Sequence, residues 1–328
     1  MDSMDGNPQA GRGEEPRIVL QDRSSLRILI TGGTGTLGHA LTDVLLKQGN
    51  ELTIISRDPH KQAKYKARYP QVRTILTDIC NAPQVYRACQ GQDIVIHACA
   101  LKRVDTGEYA VDEFHRVNVL GTQVVADAAR DASIERCLFI STDKSVSPLN
   151  HYGMTKAIAE RLWLARNETG TFLQTMFSAV RYGNVMGSNG SVIPIWREQA
   201  ERGDRITVRY PETTRFFMQP ASAVKLVIDA INNMQGGEIF VPANTPAFAL
   251  YDLAECFQER SEWHMEPLGA HEKQHEALVA PGEYHEPAFT GAWRVWPDMA
   301  VDNFTVDKMF CSKTAHRISG QEVIDRLA

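Results

Sequence analysis

An apolar segment that runs straight into glycines, Ile28-Leu29-Ile30-Thr31-Gly32-Gly33-Thr34-Gly35-Thr36-Leu37-Gly38, constrains the fold of this chain more than any other stretch. The β-branched run up to Thr31 reads as a strand and the apolar spacing over Leu37–Gln48 reads as a helix, so the glycines must turn the chain sharply between them. Gly32 allows the tight turn, and Gly35 lets a ligand approach the backbone. The start of the helix offers free N–H groups and the positive end of a dipole. This combination suits a pyrophosphate and points to dinucleotide binding by Gly32, Thr34, Gly35, Thr36, Leu37 and Gly38. A glycine-rich surface turn is the plainer alternative.

From Leu26 onward the chain alternates between short apolar runs and helix-like segments. LRILIT, ELTIIS, VRTILT, DIVIHA, RCLFIS, LQTMFSAVRY and GEIFVP are nearly continuous in apolar residues, as strands buried on both faces of a parallel sheet are. Leu37–Gln48, Phe114–Asp131, Met154–Asn167 and Ala221–Met234 carry helical spacing between them. The expected fold class is therefore α/β, a doubly wound parallel sheet, with a smaller C-terminal substrate-binding cap. Residues 1–25 read as a polar tail, 26–242 as the dinucleotide domain with a cap insertion at about 185–215, and 243–328 as the cap. The 35 Lys+Arg against 40 Asp+Glu give a formal charge of −5, which argues against a nucleic-acid or membrane-surface partner. Absence of a long apolar run or signal segment makes a cytoplasmic protein the expectation. The six cysteines form no CxxC pair and read as reduced core thiols.

The tip of the second strand bears on which dinucleotide binds. A carboxylate about 20 residues past the loop would accept the ribose 2′-OH of NAD. Here the tip reads Ser56-Arg57-Asp58-Pro59-His60-Lys61, and Arg57 with Lys61 could grip a 2′-phosphate, so the expected cofactor is NADP. Asp58 could still serve a ribose if the register slips, which would favour NAD. Asp78, ending the third strand, is placed to meet the adenine or to cap a helix.

Past the strand at Arg136–Ile140 comes Ser141-Thr142-Asp143-Lys144, and then Tyr152-Gly153-Met154-Thr155-Lys156. If Tyr152 opens a helix, Lys156 lies one turn later on the same face, so its ammonium can lie near the phenol or share the ribose with it. Positive charge nearby would favour the phenolate and make Tyr152 a base for removing a hydroxyl proton during hydride transfer.

These motifs, with HACALKRVDTGEY, NVLGTQVV, VRYGNVMGSNGSVIP and TTRFFM, resemble the extended short-chain dehydrogenases/reductases that act on nucleotide sugars, and more narrowly the inverting UDP-N-acetylglucosamine 4,6-dehydratases and their polysaccharide-biosynthesis relatives. The resemblance runs from about Leu26 to Pro242. It implies a Rossmann domain and dehydration through a 4-keto sugar with the hydride returned to C6 and C5 inverted. Thr142 would then hydrogen-bond the 4-oxygen, Lys144 remove the C5 proton and Asp143 assist loss of the hydroxyl. Tyr152 and Lys156 would serve catalysis and cofactor alike. The resemblance further implies cofactor contacts from Ser56, Ala98, Ala100 and Lys102. It implies substrate contacts from Lys102, Asn184, Val192, Arg215 and Glu272, and a homodimer or higher homo-oligomer.

The likeness departs at Gly269-Ala270-His271-Glu272-Lys273-Gln274-His275-Glu276, where Gly269 stands in place of the family's arginine. His264, His271, His275 and His285 do not match a tight metal-ligand spacing, so no metal is expected. A 4-epimerase, a dehydratase of other regiochemistry, an NADPH-dependent reductase and a non-catalytic dinucleotide-binding protein are the competing functions.

Overall fold

The computed structural model describes residues 17–19, 23–167, 175–186, 192–210, 212–297 and 310–327. Most of the N-terminal tail read from sequence lies outside them. Six parallel strands follow the apolar runs: β1 (Arg27–Thr31), β2 (Glu51–Ser56), β3 (Arg73–Leu76), β4 (Ile94–His97), β5 (Arg136–Ile140) and β6 (Met176–Val180). They stand in the order 3-2-1-4-5-6, and Ile239–Pro242 adds a further parallel strand beside β6. The order reverses between β1 and β4, which opens a crevice at the carboxyl ends of the strands. Thr31 is there in register with Ile55 on one side and His97 on the other.

Alternation along β1 sends Ile28 and Ile30 to one face and Leu29 to the other. The first face is covered by α1 (Thr36–Lys47) and the helix Pro220–Asn233, and the second by α3 (Ala82–Cys89) with the helices Gly121–Asp131 and His151–Leu164. Between β2 and β3 lies α2 (Pro59–Arg68). A separate apolar cluster of Met186, Ile193, Trp196, Val208, Phe248 and Trp263 is the core of the cap.

Two features differ from the sequence reading. The region after Pro242 also contributes the antiparallel hairpin Tyr284–Phe289 and Ala292–Trp296 to the main sheet, which thereby reaches nine strands. The run read as one helix over Phe114–Asp131 begins with α-helical Val111–Phe114, widens to a π-helical His115–Leu120 and only then continues as Gly121–Asp131. Such widenings occur mostly at functional sites. This one carries Asn118, whose side chain holds both the N–H and the carbonyl of Leu101 and donates to Thr155 Oγ1 at 3.0 Å. Asn118 thus ties the loop after β4 to the helix that bears Tyr152 and Lys156. Its one sign in the sequence was its place at the head of the NVLGTQVV stretch.

Candidate active site

At the mouth of the crevice the glycine loop forms a backbone cradle. Gly32 adopts a φ of +71°, and a Cβ there would lie 2.8 Å from the Cys99 Cα. A Cβ on Gly38 would fall 2.1 Å from the Gly33 carbonyl oxygen, so helix and loop touch backbone to backbone. Gly35 is the N-cap of α1, with no side chain capping the helix and no acidic residue in its first turn. The N–H groups opened by Thr36 and Leu37 are therefore left for an anion. Among the described residues, the only close neighbour of a Cβ on Gly35 would be the Gly32 carbonyl at 3.3 Å, so the loop is open there for a ligand to approach. These features fit a dinucleotide pyrophosphate. Substituting Gly38 by alanine is expected to cost about 1–3 kcal/mol of stability by overpacking and to weaken dinucleotide binding. Thermal unfolding and a fluorescence titration measure the two, and unchanged values would remove the cradle from the account.

Beside the glycine loop, at the ends of β2 and β3, a small pocket is lined by Ser56, Arg57, Asp78 and Cys99. Ser56 Oγ meets Thr34 Oγ1 at 3.1 Å. Asp58 accepts from the Lys61 N–H at 3.0 Å as N-cap of α2, so its carboxylate is spent on the helix. Arg57 Nη1 lies 3.0 Å from Glu113 and 3.8 Å from Asp78, and Arg116 binds the same two carboxylates at 2.8–2.9 Å. The hydrogen bond from Arg116, helped by Arg57, pulls the Glu113 carboxyl down to about 2. Asp78 also accepts from the Cys80 N–H at 2.9 Å. Ala98 and Ala100 lie on the loop after β4, beside Lys102, whose ammonium is destabilised first by burial and then by Lys61.

The turn that carries Thr142, Asp143 and Lys144 leaves the end of β5. Thr142 caps the short turn Asp143–Ser145 and donates to Asp143 Oδ1 at 3.0 Å. Lys144 Nζ reaches the same Asp143 oxygen at 3.1 Å. Asp143 is fully buried, its Oδ2 has no hydrogen-bond partner among the described residues, and burial raises its pKa against the pull of Lys144. A carboxyl so placed is disposed to carry a proton. Asn150 accepts from the Gly153 N–H at 2.7 Å as N-cap of the helix that begins at His151, which sets Tyr152 on its first turn.

Burial pushes the Tyr152 phenol up to about 12, and the largest opposing influence is Lys144. Lys156, expected to supply that charge, instead donates to the Ile140 carbonyl at 2.6 Å and lies 3.7 Å above the Phe139 ring. Desolvation brings its ammonium down to about 7. His97 is held between Thr31 and Thr122 at 2.6 and 2.9 Å, and burial pushes it down to about 3. It is a neutral core group.

On the cap side, Asn184 lies on the short strand Asn184–Val185 with its Oδ1 buried and unbonded, a polar atom awaiting a partner. Val192 starts the helix Val192–Glu201 and packs into the cap core. Arg215 donates to the Thr214 and Gln274 carbonyls at 2.8 and 3.3 Å and faces the Lys144–Glu276 cluster. Glu272 is drawn away from that cluster by Arg209 at 3.2 Å and by the Gly269 N–H at 3.3 Å. The histidines scatter: His275 bonds Thr214, His271 faces Glu108 and His285 packs against Trp293.

Two groups were missed by sequence reading. Glu276 reaches Lys144 at 3.3 Å, and its only local sign was its place in the cap motif. Arg181, behind the site, binds Glu160 of the Tyr152 helix and Glu283 of the cap; Arg181 and Glu160 are buried and Glu283 is half-buried.

Residues 28–293 match the family described as "Polysaccharide biosynthesis protein". The chain is 35% identical over 263 residues, 79% of this chain and 78% of the relative, to a UDP-N-acetylglucosamine 4,6-dehydratase (inverting) of Campylobacter jejuni. It is 36% identical over 266 residues, 78% of each, to a UDP-glucose 4-epimerase of Rickettsia rickettsii. Among solved structures, Pen from Bacillus thuringiensis superposes with a TM-score of 0.83 at 30% identity, covering 92% of this chain and 98% of Pen. DesIV, a dTDP-glucose 4,6-dehydratase from Streptomyces venezuelae, shares the fold with a TM-score of 0.67 at 20% identity over 74% of this chain and 84% of DesIV.

The expectation of NADP is overturned by these structures, because DesIV and MoeE5 hold NAD in this fold. Arg57, on which that expectation rested, is already engaged by Glu113 and Asp78, two carboxylates that would repel a 2′-phosphate. With the glycine cradle, the Tyr152–Lys156 helix and a family match spanning most of its length, the chain belongs to the polysaccharide-biosynthesis family of extended short-chain dehydrogenases/reductases, relatives of the nucleotide-sugar 4,6-dehydratases and 4-epimerases.

Proposed function

We propose that this protein is a nucleotide-sugar 4,6-dehydratase that takes UDP-N-acetylglucosamine or a closely related nucleotide hexosamine and leaves C5 inverted. The observation that carries the reading is the buried Asp143–Lys144 pair at the end of β5, on the same wall as Tyr152. Gly32, Gly35, Gly38 and the start of α1 would hold the dinucleotide, with Ser56 and Asp78 toward its adenosine. When bound, NAD would supply a hydride carrier that takes the hydride from C4 and returns it to C6.

The tasks up to loss of water belong to side chains described above, and as the hydride returns to C6 a proton from solvent adds to C5 on the opposite face, which inverts it. Tyr152 takes the proton of the 4-hydroxyl, and Thr142 hydrogen-bonds the 4-oxygen. The resulting carbonyl acidifies the C5 proton, which Lys144 removes. Asp143 gives its proton to the departing 6-hydroxyl. Asn184, Arg215 and the neighbouring cap surface supply local donors to the diphosphate, which an acidic protein must provide one by one.

The 4-epimerase reading is favoured by the Rickettsia relative. It uses Tyr152 and the hydride cycle but leaves the Asp143–Lys144 pair without a task. Cofactor stoichiometry tests the proposal against a reductase. Dehydration turns over many sugars per NAD with no lasting absorbance change at 340 nm, whereas one-for-one consumption of reduced cofactor would refute it. The apolar side chains Leu120, Met154 and Ile158 are exposed on the two helices beside the site and support self-association through that face. Light scattering is expected to show at least a dimer, and a monomer would contradict this.

A further inference from the structure

Glu276 belongs to the cap, yet its carboxylate is buried against the catalytic turn of the other domain. Its Oε1 lies 3.3 Å from Lys144 Nζ, on which Asp143 Oδ1 converges at 3.1 Å. Lys273 Nζ stands 3.5 Å from Glu276 Oε2, and the same ammonium donates to the Val146 carbonyl at 2.5 Å. The Glu276 N–H is fixed by Ser312 Oγ at 3.0 Å. Asn150 donates to the His271 carbonyl at 3.1 Å, so the loop His271–Glu276 is stitched to the catalytic turn at several points.

We propose that Glu276 is a positioning residue of the elimination step, a cap-borne anion that holds the Lys144 ammonium against Asp143 and keeps one proton within that pair. The inference rests on the dehydratase reading and deepens it. The charged and titratable groups facing the pair are Tyr152 from the catalytic helix, Arg215 from the strand Thr214–Met218, and Lys273 and Glu276 from the cap loop. Glu276 is flanked by Lys144, Arg215 and Lys273, which hold it ionised against its burial. Asp143 has Lys144 as its cation, and Glu276 opposes its ionisation.

The proton accounting gives Glu276 its task. Lys144 is held as an ammonium by Asp143 and Glu276 and must lose a proton before it can accept one. Transfer to Asp143 breaks an N–H bond and forms an O–H bond, leaving a neutral amine beside a carboxylic acid. The amine then takes the C5 proton, the C5–H electron pair becomes the C5–C6 double bond, and the hydroxyl departs with the Asp143 proton as water. Lys144 ends as ammonium and Asp143 as carboxylate, so the pair is restored. A fixed anion disfavours a second anion beside it, and so favours the proton on Asp143 once Lys144 has released it.

The test compares the full-length wild type with Glu276→Gln and Glu276→Asp. In protein carrying 13C-labelled lysine, the Lys144 signal, assigned by its loss in Lys144→Arg, is titrated by NMR. E276Q is expected to lower its midpoint by about one unit or more. In turnover, E276Q should lose water about tenfold more slowly or worse, with the alkaline fall of kcat moved to lower pH. Reduction of bound dinucleotide in a single turnover should stay within about twofold, because that step does not use the pair. Glu276→Asp should recover most of the rate. An unmoved Lys144 midpoint would overturn the proposal, and so would equal losses in both steps with an unchanged pH limb. A wild type that reduces dinucleotide without releasing water would instead defeat the dehydratase reading, and the NMR shift would still report on the hold of Glu276 over Lys144.

Discussion

Lys144→Met is expected to slow release of water by about 10³-fold and oxidation of the sugar at C4 by much less, since there Tyr152 loses only a neighbouring charge. The asymmetry follows from where the residues stand. Tyr152 and Thr142 face the 4-oxygen in the mechanism above, whereas Lys144 and Asp143 serve the C5–C6 bond. Removing the lysine also strands Asp143 and Glu276 as buried carboxylates without their shared cation, and each becomes harder to ionise. Bound dinucleotide should therefore become reduced and remain so, because the hydride has no C5–C6 double bond to return to. A stopped-flow trace at 340 nm with UDP-N-acetylglucosamine reads this as a lasting rise. If the variant turned over at the wild-type rate, the pair would be an ordinary ion pair and the sugar chemistry would lie elsewhere.

Arg181→Met is expected to destabilise the fold by about 3–5 kcal/mol, the usual consequence of breaking a buried ion pair. The Arg181 guanidinium donates to Glu160 at 2.6 and 2.9 Å and to Glu283 at 2.8 Å from each Nη. The variant would leave the buried Glu160 carboxylate, with the half-buried Glu283 beside it, without the cation between them. Replacing all three residues by apolar side chains of similar volume should recover most of the stability, since the desolvation of every charge is then avoided. Glu160 lies one turn from Lys156 and accepts weakly from Ser145, whose hydroxyl binds the Thr142 carbonyl at 2.6 Å. The apolar triple variant is thus expected to fold yet to turn over slowly, because the cap, the catalytic helix and the Thr142 turn lose their common anchor. Urea unfolding and steady-state kinetics on the same samples check both halves. A single variant as stable as the wild type would contradict the first half.

Much of the fold was legible because its signals are local. Each parallel strand is a short apolar run, and both the cofactor loop and the Tyr152–Lys156 spacing are contiguous motifs. What escaped depends on distance in sequence. The hairpin Tyr284–Trp296 mixes charged and aromatic residues and carries Pro287, as an edge of a sheet can, so no apolar run announced it. Arg57 was read as free because its partner, Glu113, comes from a helix on the far side of β4. Helical spacing alone left Lys156 either beside the phenol or toward the ribose, and it could not show the Ile140 carbonyl and the Phe139 ring that hold it in three dimensions. Glu276 meets Lys144 only because the cap folds back over β5.

The central claim is that this site eliminates water from a nucleotide hexosamine through the Asp143–Lys144 pair. Its most direct test is the mass spectrum of UDP-N-acetylglucosamine after incubation with the purified protein and catalytic NAD in deuterated water. The account predicts a product lighter by one water that has gained deuterium at C5, and no such product from Lys144→Met. A sugar of unchanged composition, epimerised at C4, would contradict it.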